Sequence, residues 1–222
     1  MDIRKKFLGV GKTIRDAILY DKYQKIHLQF LKDFGEDTLR LDYDFLTEDS
    51  VVFDLGGYRG QSTSDLFSKY GPNMYVFEPV EEYADFLRKR FARRSNKIKI
   101  FQFGLGSRTE EQTIKLEAEG SSTYKSAGDT SIHIEDFMEF VKREKIEKID
   151  LLEINIEGGE YDVLPYLIET GYIKNIRALQ IQFHNLMKDA PQRVAKIREG
   201  LAKTHVCDYS YDFSWDGWTL KK

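Results

Sequence analysis

From about residue 13 to 34 the apolar residues Ile14, Ile18, Leu19, Tyr23, Ile26, Phe30 and Leu31 recur at helical spacing. Residues 1–46 therefore read as a helical extension placed before any sheet. After Thr47 the period changes, and short β-rich apolar runs alternate with helical stretches: 51–55 then 62–70, 74–77 then 80–92, 98–103, 149–154 then 159–169, and 176–183 then 190–203. Such alternation predicts an α/β domain over residues 47–222, a mostly parallel sheet with helices on both faces. The nearly continuous run Ile149-Asp150-Leu151-Leu152 suits a strand buried on both sides. This is a Rossmann-like pattern. Residues 104–134 interrupt it with Gly- and Ser-rich loops around two short strand candidates, 113–116 and 131–134. The tail, 204–221, reads as two strands closing the sheet, the last antiparallel, joined near Asp216-Gly217.

Composition narrows the function classes. With 41% hydrophobic residues, fifteen Phe and thirteen Tyr, the chain can bury a core, which excludes wholesale disorder. The balance of 34 basic against 37 acidic residues argues against a specific nucleic-acid binder acting through bulk charge. One cysteine, Cys207, excludes an intramolecular disulfide and a Cys-based zinc cluster, and points to a reducing compartment, most simply the cytoplasm. No run approaches the ~18 apolar residues of a transmembrane span. Residues 1–15 carry five basic side chains against Asp2 and intersperse Phe7, Leu8, Val10 and Ile14, a pattern of either membrane-surface docking or an ordinary amphipathic helix start. The acid-free basic run from Arg88 to Lys99 reads as a solvated helix face or as a receiver of an anionic substrate.

The chemistry concentrates at strand ends. The first strand runs through Asp54 into Gly56-Gly57-Tyr58-Arg59-Gly60, a glycine turn that lets backbone approach a ligand just before a helix N-terminus. Tyr58 breaks the dinucleotide fingerprint and Asp54 would repel a pyrophosphate, which disfavours NAD. An acid beside such a turn suits a ligand carrying an amine, a sulfonium and a carboxylate, as S-adenosyl-L-methionine does. The second strand ends at Glu78, placed as an acceptor for ribose hydroxyls or as a cap for the next helix. At the end of the 149–154 strand, Asn155, Glu157 and Glu160 face the same pocket mouth, Glu160 alternatively serving the helix dipole.

The blocks Phe53-Asp54-Leu55-Gly56-Gly57-Tyr58-Arg59-Gly60, Phe77-Glu78-Pro79, Phe103-Gly104-Leu105-Gly106-Ser107, Ile149 through Glu160 and Gln180-Ile181-Gln182-Phe183-His184 together resemble the FkbM-type S-adenosylmethionine-dependent methyltransferases. The Ile-Asn-Ile-Glu-Gly-Gly-Glu block is the most specific. The resemblance implies a class I methyltransferase fold and O-methylation of a sugar, glycan or glycan-lipid acceptor. It implies that Asp54, Gly56, Gly57 and Gly60 line the methionine end of the cofactor, Glu78 the ribose, and Gly104, Gly106 and Ser107 the adenine. Asn155 and Glu157 would stand near the methyl group or acceptor. The commoner family pattern has Lys at Glu153 and Asp at Asn155. Rival readings are an N-methyltransferase on protein or nucleic acid and a catalytically silent partner in glycan assembly.

Methyl transfer to an alcohol requires that the acceptor proton leave, and a neutral imidazole is suited to take it near neutral pH. His184, ending the fifth strand candidate, is the expected base, with a structural histidine as the alternative. His27, His133 and His205 fall inside predicted elements and read as scaffold. No metal is expected, although residues 155, 157, 160 and 184 offer oxygen and nitrogen donors. Tail aromatics, Trp215 and Trp218 above all, read as a sugar platform or as core.

Overall fold

The computed structural model describes residues 22–117, 120–122 and 130–222. The basic segment 1–15, with the first part of the predicted extension, lies outside the described residues. The extension enters as helix α1 (22–32), whose buried Phe30 meets Tyr211 edge-on at 5.3 Å between ring centroids. A single π-helical turn (Gly35–Leu39) follows; a Cβ at Gly35 would strike the Phe30 ring, so the sharp reversal needs glycine.

The main sheet contains β1 (Val51–Leu55), β2 (Asn73–Phe77), β3 (Ile98–Phe101), β8 (Ile149–Ile154), β9 (Ile176–Ile181), β10 (His205–Ser210) and β11 (Asp216–Leu220), in the order β10-β11-β9-β8-β1-β2-β3. All neighbours from β3 to β9 pair in parallel, and β11 is antiparallel to both β9 and β10. Chain order runs outward from β1 in both directions, so a topological switch lies between β1 and β8. Ligands of open α/β sheets bind outside the carboxyl ends of strands at such a point.

Alternation assigns the faces. Phe53, Leu55, Leu152 and Ile154 pack with Phe137, Phe140, Leu164 and Leu167, residues of α4 (Phe137–Arg143) and α5 (Glu160–Glu169). Val52, Val76 and Leu151 pack on the other side with Leu66 and Leu87, from α2 (Gln61–Tyr70) and α3 (Glu81–Arg90). Asp54, Glu153 and Gln180 are in register across β1, β8 and β9 and form a polar row on this second face. Helix α6 (Ala190–Leu201) packs against α5.

Residues 104–136 hold more strand than expected. β4 (Gly104–Gly106), β5 (Glu110–Glu117), β6 (Gly120–Ser122) and β7 (Thr130–Asp136) form a second sheet, whose Ile114 and Ile132 close on Val80. The Gly and Ser content masks this pattern, and the apolar alternation Ile132, Ile134 reveals it. Among the described residues no helix is long and apolar enough to cross a membrane. The basic run 88–99 lies on the outer end of α3 and on edge strand β3, mostly exposed.

Candidate functional site

Gly56 explains why β1 and β8 converge here. Its φ is +94°, and a Cβ would stand 2.0 Å from the carbonyl oxygen of Asn155. Only glycine lets the end of β1 lie against the first residue after β8. The chain then turns through Tyr58, itself left-handed at φ 43°, to Gly60 at φ 72°, which precedes α2. Gly57 and Gly60 do not line the cavity beyond this turn; side chains there would collide with Leu87, and with Val76 or Phe91. They serve the close packing of the turn on α3.

The cavity lies at the carboxyl ends of β1, β2 and β8, with Gly56, Glu78, Gly104, Gly106, Asn155 and Glu157 in its wall. The small sheet supplies Ile114, Ile132 and Ile134, and Val80 adds to this flat apolar side. Glu78 is nearly buried at its rim, and its two carboxylate oxygens accept the Tyr58 N–H at 2.8 Å and the Val80 N–H at 2.9 Å. It therefore joins the glycine turn to the start of α3, so the capping role is real. Burial pushes its carboxyl up, against the pull of those two donors. Gly104 and Gly106 leave room for Ile134, whose side chain a Cβ at either position would meet. Ser107 stands outside the wall. Its N–H and hydroxyl both bond to Asp162 of α5, at 2.8 and 2.7 Å, and Asp162 reaches the cavity in its place.

Asp54 is corrected by the structure. It belongs to the polar row, not to the cavity wall: it is 3% exposed and accepts the Thr63 hydroxyl of α2. A strand buried on both faces gives no sequence cue to which side a polar residue takes. Burial, with Glu153 beside it, pushes the Asp54 carboxyl up to about 7. Glu153 accepts bonds from Ser62 and from Arg40, whose Nη2 lies 2.6 Å away. Arg40 also donates to Gln180 at 3.2 Å and pairs with Glu36, and its guanidinium lies 3.7 Å from the centre of the Trp215 ring. Burial would lower the Arg40 pKa, but Glu153 and Glu36 outweigh it and the net shift is upward. At position 153 this chain has a buried acid, and its positive partner, Arg40, comes from the N-terminal segment.

The tail aromatics are corrected too. Trp215 and Trp218 are each 4% exposed: Arg40 covers one face of the first, and the second packs in the main core. Neither offers an open ring to a sugar. His205 bonds to the Ile176 carbonyl, His27 to Ser214 and His133 to Glu111, all consistent with scaffold.

His184 lies three residues beyond β9. Its Nδ1 is 3.1 Å from Glu160 Oε1 and its Nε2 is 3.6 Å from Glu157 Oε1. Glu157 occupies a left-handed conformation at φ 49°, followed by Gly158 at φ 112°, so the turn after β8 holds its carboxylate toward the imidazole. Asn155 and Glu157 thus stand in the cavity wall, and His184, which is not itself a wall residue, is held beside Glu157. Among the described residues no group of three acidic, His or Cys side chains is arranged to hold a metal ion. Sequence reasoning missed Arg40 and Asp162. Arg40 lies among residues that read only as amphipathic helix, and Asp162 has the pattern of an ordinary first-turn acid.

The chain is similar to the hexuronic acid methyltransferase AglP of Haloferax volcanii, 22% identical over 152 residues that cover 67% of this chain and 62% of that protein. The match therefore spans about three-fifths of the relative's length. Among solved structures it is similar to a putative rRNA-methylase from Clostridium thermocellum (TM-score 0.49, 9% identity, covering 80% of this chain and 90% of that one). Another is an O-methyltransferase from Bacillus cereus (TM-score 0.41, 16% identity, covering 77% and 74%). The methyltransferase FkbM domain matches residues 54–211, from the polar end of β1 to the closing hairpin, and the chain belongs to the FkbM methyltransferase family.

Proposed function

We propose that the protein transfers a methyl group from S-adenosyl-L-methionine to a hydroxyl of a sugar or glycan. The observation that carries this reading is one cavity in which a strand-end acid, a glycine turn and a histidine-carboxylate pair converge. Gly56, Glu78, Asn155 and Glu157 stand in its wall, and His184 is held beside Glu157, its Nε2 3.6 Å from Glu157 Oε1.

The residues fit the adenosyl group. The flat slot bounded by Val80, Ile114, Ile132 and Ile134 suits an adenine ring, and Glu78 retains lone pairs for ribose hydroxyls beyond its two backbone donors. The Gly56 backbone permits close approach, and Glu157 adds a negative wall suited to a cation and hostile to a pyrophosphate. When bound, the cofactor supplies an electrophilic methyl on a sulfonium. The protein's own part is to orient the acceptor oxygen and remove its proton. His184 Nε2 takes that proton, and the imidazolium formed faces two carboxylates, Glu160 and Glu157. Membership of the FkbM family supports methyl transfer, and the similarity to a hexuronic acid methyltransferase supports a sugar acceptor.

Calorimetry and turnover test this. Binding of S-adenosylmethionine or its demethylated product in the micromolar range, about −8 kcal/mol, with no NAD binding, is expected. His184→Ala is expected to lower turnover by on the order of 10²–10⁴ with cofactor affinity nearly intact. Wild-type turnover in that variant contradicts the base assignment.

A further inference from the structure

Among the described residues Glu160 is the one fully buried acid beside His184, and it has a specific set of partners. Its Oε2 accepts the Gly158 N–H at 2.7 Å; its Oε1 accepts the His184 N–H at 2.9 Å and lies 3.1 Å from His184 Nδ1. The Tyr161 hydroxyl holds the His184 carbonyl at 2.8 Å, so two consecutive residues of α5 fix the backbone and ring of His184. A carboxylate has no proton to donate, so the ring nitrogen facing it must carry one. Nε2 lies 3.6 Å from Glu157 Oε1, beyond hydrogen-bond distance, so the closer carboxylate at Nδ1 decides which nitrogen carries the single proton of the neutral ring and leaves the lone pair on Nε2.

We infer that Glu160 is the positioning residue for His184: it selects the Nδ1–H tautomer, aims Nε2 at the acceptor, and stabilises the imidazolium that forms. This rests on the reading of His184 as base. The proton balance is closed: the acceptor O–H bond breaks, its proton forms the Nε2–H bond, and the Nδ1–H stays hydrogen-bonded to Glu160 throughout. A carboxylate that orients a histidine base without taking its proton is the general acid–base arrangement of a triad. Position explains why Glu160 suits this. At the first turn of α5 its charge is favoured by the helix N-terminus. The two backbone N–H donors offset the cost of complete burial. A neutral Gln there keeps the shape but weakens both roles, because one of its two ends must present N–H groups to donors.

Imidazole 15N NMR on the full chain, assigned by difference with His184→Gln, tests the tautomer directly. Protonated Nδ1 and unprotonated Nε2 in the neutral ring are expected, and the opposite tautomer overturns the inference whether or not any variant folds. Glu160→Gln is expected to lower kcat by 10- to 100-fold, to leave acceptor KM and cofactor affinity within about twofold, and to lower the His184 imidazole pKa because the Glu160 charge beside Nδ1 is gone. In the His184→Gln background Glu160→Gln should cost nothing further in kcat. A loss that instead adds fully in that background assigns Glu160 only to the turn and overturns the inference. Wild-type turnover in His184→Gln removes the base reading alone, since the tautomer and imidazole pKa are read without activity.

Discussion

At Gly56 two constraints coincide, a left-handed φ and a backbone carbonyl where a Cβ would sit. Gly56→Ala is expected to destabilise the fold by about 2 kcal/mol or more and to abolish cofactor binding, because relief requires β1 and β8 to separate at the cavity. Denaturant unfolding and calorimetry check both. Asp54 gives a pH signature of its own. The unfolded chain releases this proton near the ordinary aspartate value of 3.8, whereas the folded protein holds it to about 7. Between those values the native state binds more protons, so this group makes stability fall as pH rises, levelling above about 7. Glu153 accepts bonds from Arg40 and Ser62, whereas the Asp54 carboxyl accepts the Thr63 hydroxyl. Asp54→Asn should therefore lose stability less steeply than wild type between about pH 4 and 7. Equal slopes in urea midpoints for the two proteins would contradict this.

Between elements, the Arg40–Glu153 pair ties the N-terminal segment to the sheet, alongside contacts such as Phe30 with Tyr211. The two side chains are 12% and 3% exposed, so Arg40→Ala leaves an uncompensated buried carboxylate and should cost about 3–5 kcal/mol. Replacing both with Met should cost less than removing Arg40 alone, which thermal unfolding of the two variants measures. Trp215 packs under the same guanidinium, and Trp215→Ala should lower stability by about 3–5 kcal/mol with little specific effect on acceptor KM. A KM change without loss of stability would restore it as a sugar platform. The alternation of strands and helices was legible because the β-runs are short and apolar and most of them end at Gly, Glu-Pro or Asn. Contacts such as Arg40 with Glu153, 113 residues apart, were not, since no local pattern encodes them. The same holds for the side Asp54 takes, because a strand covered on both faces loses the polar alternation that would mark it. Within the site, Glu78, Asn155, Glu157 and His184 were readable as strand-end residues. The side chains of Ser107 and Asp54 turn to partners of their own, Asp162 and Thr63, and stand outside the cavity wall.

For the molecule as a whole, the switch between β1 and β8 gathers the Gly56 turn, Glu78 and the Asn155–Glu160 segment at one end of the sheet, and β9 delivers His184 beside them. A wider cleft opens at the opposite, amino-terminal ends of β8 and β9, among Asp150, Arg177, Asp208 and Lys221. It lacks both the glycine turn and the convergent strand-end acids that support the carboxyl-end cavity as the proposed site of the chemistry. The small sheet flanks that cavity through Ile132 and Ile134, while the N-terminal segment is tied through Arg40 to the polar row on the other face of the sheet. The most direct test is transfer of isotopically labelled methyl from S-adenosylmethionine to a panel of hexose- and hexuronate-containing glycans, with peptide and RNA acceptors alongside. Label in a glycan as a base-stable methyl ether, lost in His184→Ala, is expected. Label confined to peptide or RNA, or found in glycans only as a base-labile ester, would contradict it.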